Sequence, residues 1–189
     1  MLSTCGGTRK RATVLVSGGI DSAACVHFLK KQDFEVGAIF VDYGQAARIH
    51  EAQASVAVAE YFGIHLRSCH FDGATSSGPG ELVGRNAMLI FCALFAIRGW
   101  TGLLSLGIHA GTPYYDCSNS FVDAAARLVS EHTDGCVALY TPFLNWSKLD
   151  VYNFFRQENL PFEHTYSCEA GGDPPCGRCA SCHDRAMFG

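Results

Sequence analysis

Residues suited to binding an anion lie near the amino end of the chain, where Ser17 to Ser22 reads S-G-G-I-D-S. Glycine allows a backbone to approach a ligand closely, and serine hydroxyls and the free N–H groups of a helix start donate hydrogen bonds to anions. Asp21 is acidic, so a divalent cation between its carboxylate and a phosphate would explain its place in the loop. The pattern therefore predicts a phosphate site that differs from the common G-x-x-x-x-G-K-[ST] loop, which the sequence lacks.

Residues suited to binding a metal lie near the other end, in a C-x7-C-x2-C-x2-C pattern formed by Cys168, Cys176, Cys179 and Cys182. Four thiolates on tight turns favour tetrahedral zinc, with Gly177 allowing the turn and Arg178 and Arg185 offsetting negative charge. An iron–sulfur cluster would use the same ligands, and a redox C-x-x-C is a third interpretation, although no thioredoxin-like context supports it. We predict a structural zinc segment over residues 167–185, with His183 as a spare ligand or a surface residue.

The elements that position these groups alternate regularly along the chain. Strands are predicted at Ala12–Val16, Glu35–Val41, Ile64–Cys69, Leu103–Ile108 and Cys136–Tyr140. Helices are predicted at Ala23–Lys31, Ala46–Phe62, Asn86–Ile97, Ser118–Glu131 and from Ser147 to about Glu158, with a loop at Phe71–Gly84. The alternation predicts an α/β fold, a doubly wound parallel five-stranded sheet with one ligand cleft at its carboxyl edge.

Composition limits the classes of function that the chain can have. Its 189 residues are 48% hydrophobic, which favours one globular domain over residues 1–189. The net charge of −4, without a basic stripe, argues against a nucleic-acid partner. The first eight residues lack the apolar stretch of a secretion signal, and no apolar run approaches the ~20 residues of a membrane span. We therefore expect a cytoplasmic protein without a membrane partner.

The S-G-G-I-D-S loop resembles the S-G-G-x-D-S loop of the PP-loop ATP pyrophosphatases, which have a Rossmann-like (HUP) sheet. Together with the late cysteines, it makes the chain resemble the QueC family of 7-cyano-7-deazaguanine synthases. The middle of the chain agrees with that family's motifs. Gly84-Arg85-Asn86 is similar to V-P-G-R-N, Tyr115-Asp116-Cys117 with Phe121-Val122 to Y-P-D-C-R-x-x-F-V, and Thr141-Pro142-Phe143-Leu144 before Lys148 to the T-P-L segment and its lysine.

This resemblance implies an ATP-dependent ligase that converts 7-carboxy-7-deazaguanine and ammonia to the nitrile through an adenylated carboxylate and an amide. It implies ATP, Mg²⁺ and Zn²⁺ as cofactors, and we expect a homodimer. The implied catalytic residues are Asp21, Arg85 and Lys148. The implied cofactor-binding residues are Ser17, Gly18, Gly19, Asp21, Ser22, Asp42 and Gln45, with Tyr43 beside them, and the implied substrate-binding residues are Arg85, Asn86, Gly107 and Asp116.

The sequence departs from the family pattern around the pocket for the acceptor. Val83 stands where the family has proline, Tyr114-Tyr115 alters its Y-P, and Ser118 replaces an arginine. Alternatives therefore stay open: an adenylating enzyme that acts on another carboxylate or on a partner protein, as in antiviral gene clusters, or a non-catalytic nucleotide-binding module with a zinc ribbon. His109, near the end of the fourth strand, is either packed or functional, and adenylation requires no nucleophile such as Cys117.

Overall fold

Short apolar strands form the centre of the fold in a computed structural model that describes residues 10–71 and 81–188. The strands are β1 (Arg11–Leu15), β2 (Glu35–Asp42), β3 (Leu66–His70), β4 (Gly102–Ser105) and β5 (Val137–Tyr140). All of them pair in parallel in the order β3-β2-β1-β4-β5. At the centre of the sheet, Val14 pairs with Ala38 of β2 and with Ser105 of β4. Because β1 is covered on both faces, its residues form an almost continuous apolar run.

Helices cover both faces of the sheet. They are α1 (Ile20–Lys30), α2 (Arg48–Phe62), α3 (Arg85–Ala96), α4 (Asn119–His132), α5 (Lys148–Gln157) and α6 (Ala180–Phe188). One core cluster packs α1, α2 and α5 against the sheet, and a second packs α3 and α4 against the other face. None of the helices in the described ranges has the length and apolar character needed to cross a bilayer.

The strand order reverses at β1, and this reversal opens a crevice at the carboxyl edge of the sheet. Connections from β1 lead to β2 on one side, whereas the chain later returns to β4 on the other side. Ligands of open parallel sheets bind at such switch points. The Ser17–Ser22 loop, which follows β1 directly, therefore lies at the crevice together with the loops that follow β2 and β4.

The segment after α5 folds back onto the domain through Arg185 of α6. One Arg185 nitrogen, Nη2, donates to the carbonyl of Phe162 at 2.9 Å, and Nη1 donates to Thr165 Oγ1 at 2.9 Å. The guanidinium also lies 3.9 Å from the centre of the Phe162 ring. Arg185 thus anchors α6 to the 3-10 turn at Phe162–His164, and it also interacts electrostatically with Cys182, as the sequence suggested.

The five strands, the five long helices and the doubly wound class agree with the sequence prediction. The fourth strand is shorter than predicted, because its pairing ends at Ser105 and residues 106–108 continue as the wall of the crevice. Helix α6 was not predicted, since Cys182 was assigned to a turn. Most of the predicted loop Phe71–Gly84 lies outside the described residues.

Candidate active site

A cavity of about 740 Å³ lies at the carboxyl edge of the sheet. Its walls come from the Ser17–Ser22 loop, the loop after β2, the first turn of α3, the segment after β4 and the starts of α5 and α6. Most of the predicted site residues line it, namely Ser17, Gly19, Asp21, Ser22, Gln45, Arg85, Asn86, Gly107 and Lys148. Gly18, Asp42 and Asp116 do not line it. The fold thus brings residues from most of the chain's length to one cavity.

The Ser17–Ser22 loop, the predicted phosphate loop, owes its shape to close packing at Gly18. This residue has a φ of +71°, and a Cβ built there would lie 2.5 Å from Ala54 Cβ and 2.7 Å from the Ser55 nitrogen. The Ser22 hydroxyl closes the turn, since it donates to the Gly19 carbonyl at 2.9 Å. No side chain in the described part of the chain caps α1. The first N–H groups of the helix are therefore available to an anion in the cavity.

Asp21 has two oxygens in different environments. Oδ2 accepts a hydrogen bond from Lys148 Nζ at 2.7 Å and lies 3.9 Å from His109 Nε2. Oδ1 is buried and has no hydrogen-bond partner among the described residues. Gly107 allows this packing, because a Cβ there would come within 2.7 Å of the Asp21 carbonyl oxygen. A carboxylate oxygen left without a partner beside a phosphate loop is a suitable ligand for a divalent cation such as Mg²⁺.

A second polar group lies across the cavity, where the loop after β2 meets α3. Gln45 Nε2 donates to Glu51 Oε2 at 2.7 Å, and Gln45 Oε1 accepts from the Tyr43 nitrogen at 2.9 Å. Burial raises the pKa of Glu51, although the hydrogen bond from Gln45 and the charge of Arg85 oppose the shift. Burial likewise raises the pKa of Tyr43, against the nearby charge of Arg85. The sequence did not lead us to predict a role for Glu51. The feature that could have indicated one is the position of this carboxylate in the first turn of α2, just after a predicted ligand-binding loop.

Two predicted ligand-binding carboxylates are instead engaged in local structure. Asp42 Oδ1 accepts from the Gly44 nitrogen at 2.9 Å, which orders the turn after β2. Asp116 is 6% exposed, and its Oδ2 accepts from the Asn86 nitrogen at 3.1 Å. Asn86 Nδ2 in turn donates to the Asp116 carbonyl at 2.9 Å. Asp116 thus holds the start of α3 and lies beneath the cavity wall.

Two positions that depart from the family pattern, Ser118 and Val83, lie at a helix start and at the rim of the cavity. Ser118 caps α4, since its hydroxyl accepts a hydrogen bond from the Phe121 nitrogen at 3.2 Å. Val83 is 94% exposed at the cavity rim. Cys117 lines the cavity, but burial and the neighbouring Asp116 charge raise the pKa of its thiol to about 11. A thiol protonated at neutral pH is a weak nucleophile.

The four late cysteines form a cluster with the dimensions of a mononuclear metal site. The Sγ atoms of Cys168, Cys176, Cys179 and Cys182 all lie within 4.8 Å of one another. Tetrahedral thiolate ligation at about 2.3 Å separates the sulfurs by about 3.8 Å, and Cys176 and Cys182 lie 4.0 Å apart. Burial opposes ionisation of Cys168, but backbone hydrogen bonds from Cys176 and Gly172 outweigh it and lower its pKa to about 6. His183 is exposed and lies outside the cluster.

The cysteine segment is part of the cavity wall. The Tyr166 nitrogen donates to the Gly18 carbonyl at 2.9 Å, which joins the segment to the phosphate loop. The Tyr166 ring stacks on His50 of α2 with 4.8 Å between the ring centres. Glu169 accepts hydrogen bonds from the nitrogen and hydroxyl of Ser181 at the start of α6, and both residues line the cavity. A metal in the cluster would therefore stabilise one side of the cavity.

Comparison with known proteins gives one consistent family. The model of the family described as "Queuosine biosynthesis protein QueC" matches residues 11–87 and 79–188. The 7-cyano-7-deazaguanine synthase of Persephonella marina is 32% identical over 201 residues, covering 91% of this chain and 88% of the relative. The enzyme of the same name from Aquifex aeolicus is 31% identical over 202 residues, covering 91% and 93%.

Among solved structures, the U34-tRNA thiolase NcsA from Methanococcus maripaludis is similar, with a TM-score of 0.53 and 18% identity. The match covers 82% of this chain and 59% of that one. At this level of identity, the similarity supports the fold and nothing further.

Proposed function

The chain belongs to the QueC family, and on this basis we propose that it is an ATP-dependent ligase that converts 7-carboxy-7-deazaguanine and ammonia to 7-cyano-7-deazaguanine. In the first half of this reaction the carboxylate attacks ATP, pyrophosphate leaves, and ammonia displaces AMP to give the amide. In the second half the amide oxygen is adenylated with loss of another pyrophosphate, and departure of AMP leaves the nitrile. Both halves need the same groups around the phosphates.

The observation that carries the proposal is the convergence of Asp21, Lys148 and Arg85 on one cavity beside an uncapped helix start. The N–H groups at the start of α1 and the Ser17 hydroxyl bind the leaving pyrophosphate. Asp21 Oδ1 holds Mg²⁺, which neutralises phosphate charge. Lys148 and Arg85 stabilise the negative charge that develops as the bond to pyrophosphate breaks, and their fixed positions make this effective.

The remaining predicted residues have supporting roles in the proposal. Gly107 and Asn86 form the wall against which the deazaguanine lies, and Asp116 positions Asn86 from below. Gln45 and the turn ordered by Asp42 contact the adenosine part of ATP. We place the reaction in the cytoplasm and the assembly as a homodimer, which light scattering tests directly.

The cysteine cluster is proposed to hold Zn²⁺. The spacing of its sulfurs suits one ion, because in a four-iron cluster each thiolate binds a different iron and the sulfurs lie farther apart. Bound zinc supplies a cross-link of about 10 kcal/mol to a segment with little apolar core of its own. Metal analysis of the purified protein distinguishes zinc from iron.

The test is to incubate the protein with ATP, Mg²⁺, ammonium and 7-carboxy-7-deazaguanine. We expect pyrophosphate to be released twice per nitrile, with mass spectrometry detecting first the amide and then the nitrile. Release only with another carboxylate or with a protein acceptor would contradict the substrate. ATP binding without release for any acceptor would instead identify a non-catalytic nucleotide-binding module.

A further inference from the structure

Glu51 is a cavity-lining carboxylate to which the proposed reaction so far gives no role. It lies in the first turn of α2, where Gln45 Nε2 holds one of its oxygens at 2.7 Å. Among the described residues, the other oxygen accepts no hydrogen bond. The side chain is therefore fixed in position while one oxygen, together with unused lone pairs on the first, faces the cavity.

The other acidic residues that line the cavity in the described part of the chain occupy different positions. Asp21 forms an ion pair with Lys148 at the phosphate loop. Glu169 caps the start of α6 through Ser181. Asp184 lies on α6, within electrostatic range of Tyr152, whose ring lies 5.6 Å from Lys148 Nζ. Asp21 belongs to the Ser17–Ser22 loop, and Glu169 and Asp184 belong to the cysteine segment and α6, whereas Glu51 lies near Arg85, at the start of α3.

We propose that Glu51 determines specificity by binding the N1–H and 2-amino groups of the deazaguanine, an inference that rests on the proposed function. The guanine edge presents two N–H donors side by side, and a carboxylate presents two acceptors with matching separation. Paired hydrogen bonds of this kind, with an ionised acceptor, are stronger and more selective than single neutral ones. The resemblance implied Asp116 as a substrate-binding residue, but Asp116 does not line the cavity, and in this proposal Glu51 binds the guanine edge.

The surroundings of Glu51 support this assignment. Its side chain is half-buried, and among the described residues Gln45 and the charge of Arg85 compensate its carboxylate only in part. A ligand that donates two hydrogen bonds would compensate it further, whereas a ligand that lacks one donor would cover the carboxylate and leave one acceptor unpaired. Sites built in this way discriminate strongly against analogues without the donor. Arg85 and Asn86 are close enough to orient the carboxylate of the same ligand toward the phosphates.

The experiment compares 7-carboxy-7-deazaguanine with the analogue that lacks the 2-amino group, using ATP-dependent pyrophosphate release. We expect the natural protein to prefer the guanine form in kcat/KM by about 10- to 100-fold. Glu51→Gln should lower kcat/KM for the guanine form and leave that for the analogue within about 3-fold, so that the preference is lost. The amide oxygen of the substituted side chain can still accept the hydrogen bond from Gln45 Nε2, so the ATP affinity of this variant should be unchanged, which shows that the cavity is intact.

Asp184→Asn serves as the matched control, because it removes another cavity-lining carboxylate, which lies on α6. It should retain the preference for the 2-amino group. If Glu51→Gln also retains the preference, Glu51 merely orients Gln45 and the specificity role is overturned. If the natural protein releases no pyrophosphate with either compound, the proposed function itself fails, and the role of Glu51 fails with it.

Discussion

At the scale of single residues, the two oxygens of Asp21 lie in different environments, so replacing this carboxylate by an amide should have a large effect on the rate of pyrophosphate release. Asp21→Asn removes the charge that pairs with Lys148 and that the oxygen without a partner among the described residues would offer to a cation. Loss of one preorganised charged group at such a site costs about 10²- to 10³-fold in rate. We therefore expect pyrophosphate release to fall by that factor, measured under saturating ATP. Asp123→Asn, on the exposed side of α4, is the matched control, and an unchanged rate for Asp21→Asn would contradict the role.

Substitutions at Gly18 and Gly63 distinguish the energetic cost of backbone strain from that of steric overlap. Both have positive φ, but a Cβ at Gly63 meets nothing within 4 Å, whereas one at Gly18 overlaps Ala54 and Ser55. Gly63→Ala should cost about 1 kcal/mol of unfolding free energy, the cost of the left-handed conformation. Gly18→Ala should cost about 1–3 kcal/mol more, because α2 must shift. Urea unfolding measures both, and equal losses would show that the close packing at Gly18 is unimportant.

The sequence was sufficient to predict the role of some site residues but not of others. Ser17 to Ser22 could be assigned because their types, spacing and position between a strand and a helix all carry the chemistry locally. Glu51 could not, because whether it faces the cavity depends on the rotation of α2 against the sheet. Asp116 resembled a ligand, but the 3-10 turn at Tyr115–Cys117 directs it beneath Asn86. No local pattern reveals that turn.

At the scale of elements, apolar runs predicted the central strands β1 and β2 because these strands are buried in a parallel sheet, where the pattern is strong. Helix α6 was missed for the opposite reason. Its nine residues have only one fully buried side chain, Cys182. The helix is held by the hydrogen bond from Ser181 to Glu169, by Arg185 and by the cysteine cluster. These contacts involve residues distant in sequence or residue types that are not ordinary helix signals.

The contact between α1 and α5 predicts a dependence of stability on pH. Glu158 follows α5 and accepts hydrogen bonds from Lys31 at 2.5 Å and His27 at 3.0 Å. These partners lower the pKa of Glu158 from its usual value of 4.5. A carboxyl group whose pKa is depressed by folding adds stability above its unfolded pKa and loses it as the pH falls through the folded pKa.

Urea unfolding between about pH 7 and about pH 3 tests this dependence, a range that spans the ordinary titration of carboxyl groups. The natural protein should lose more stability on acidification than Glu158→Gln, which has no charge to lose at this position. The difference between the two should be constant above about pH 5 and shrink below it. Parallel curves over the whole range would show that the ion pairs contribute nothing.

At the scale of the whole molecule, the two chemical groups noticed in the sequence are 150 residues apart in the chain but are in direct contact in the fold. Gly18 and Tyr166 share a backbone hydrogen bond of 2.9 Å, and the cysteine segment continues from Tyr166 into α6 along the cavity. The sequence indicated both groups and gave no sign of this contact, because a hydrogen bond between main-chain atoms leaves no signature in residue types. The cysteine cluster and the Ser17–Ser22 loop therefore form one structural unit.

This contact predicts that removing the metal weakens ATP binding without removing any ATP ligand. Chelation should release α6 and Tyr166, so that the Gly18 carbonyl loses its partner and the phosphate loop becomes less ordered. We expect the Kd for ATP to rise by about 10-fold, the equivalent of one hydrogen bond and some lost order, with faster amide exchange in residues 17–22. Cys179→Ser should reproduce the effect and make the protein insensitive to chelator, whereas Cys69→Ser, a thiol outside the cluster, should not. Unchanged ATP affinity and loop exchange in the metal-free protein, with α6 shown to be released, would contradict the coupling.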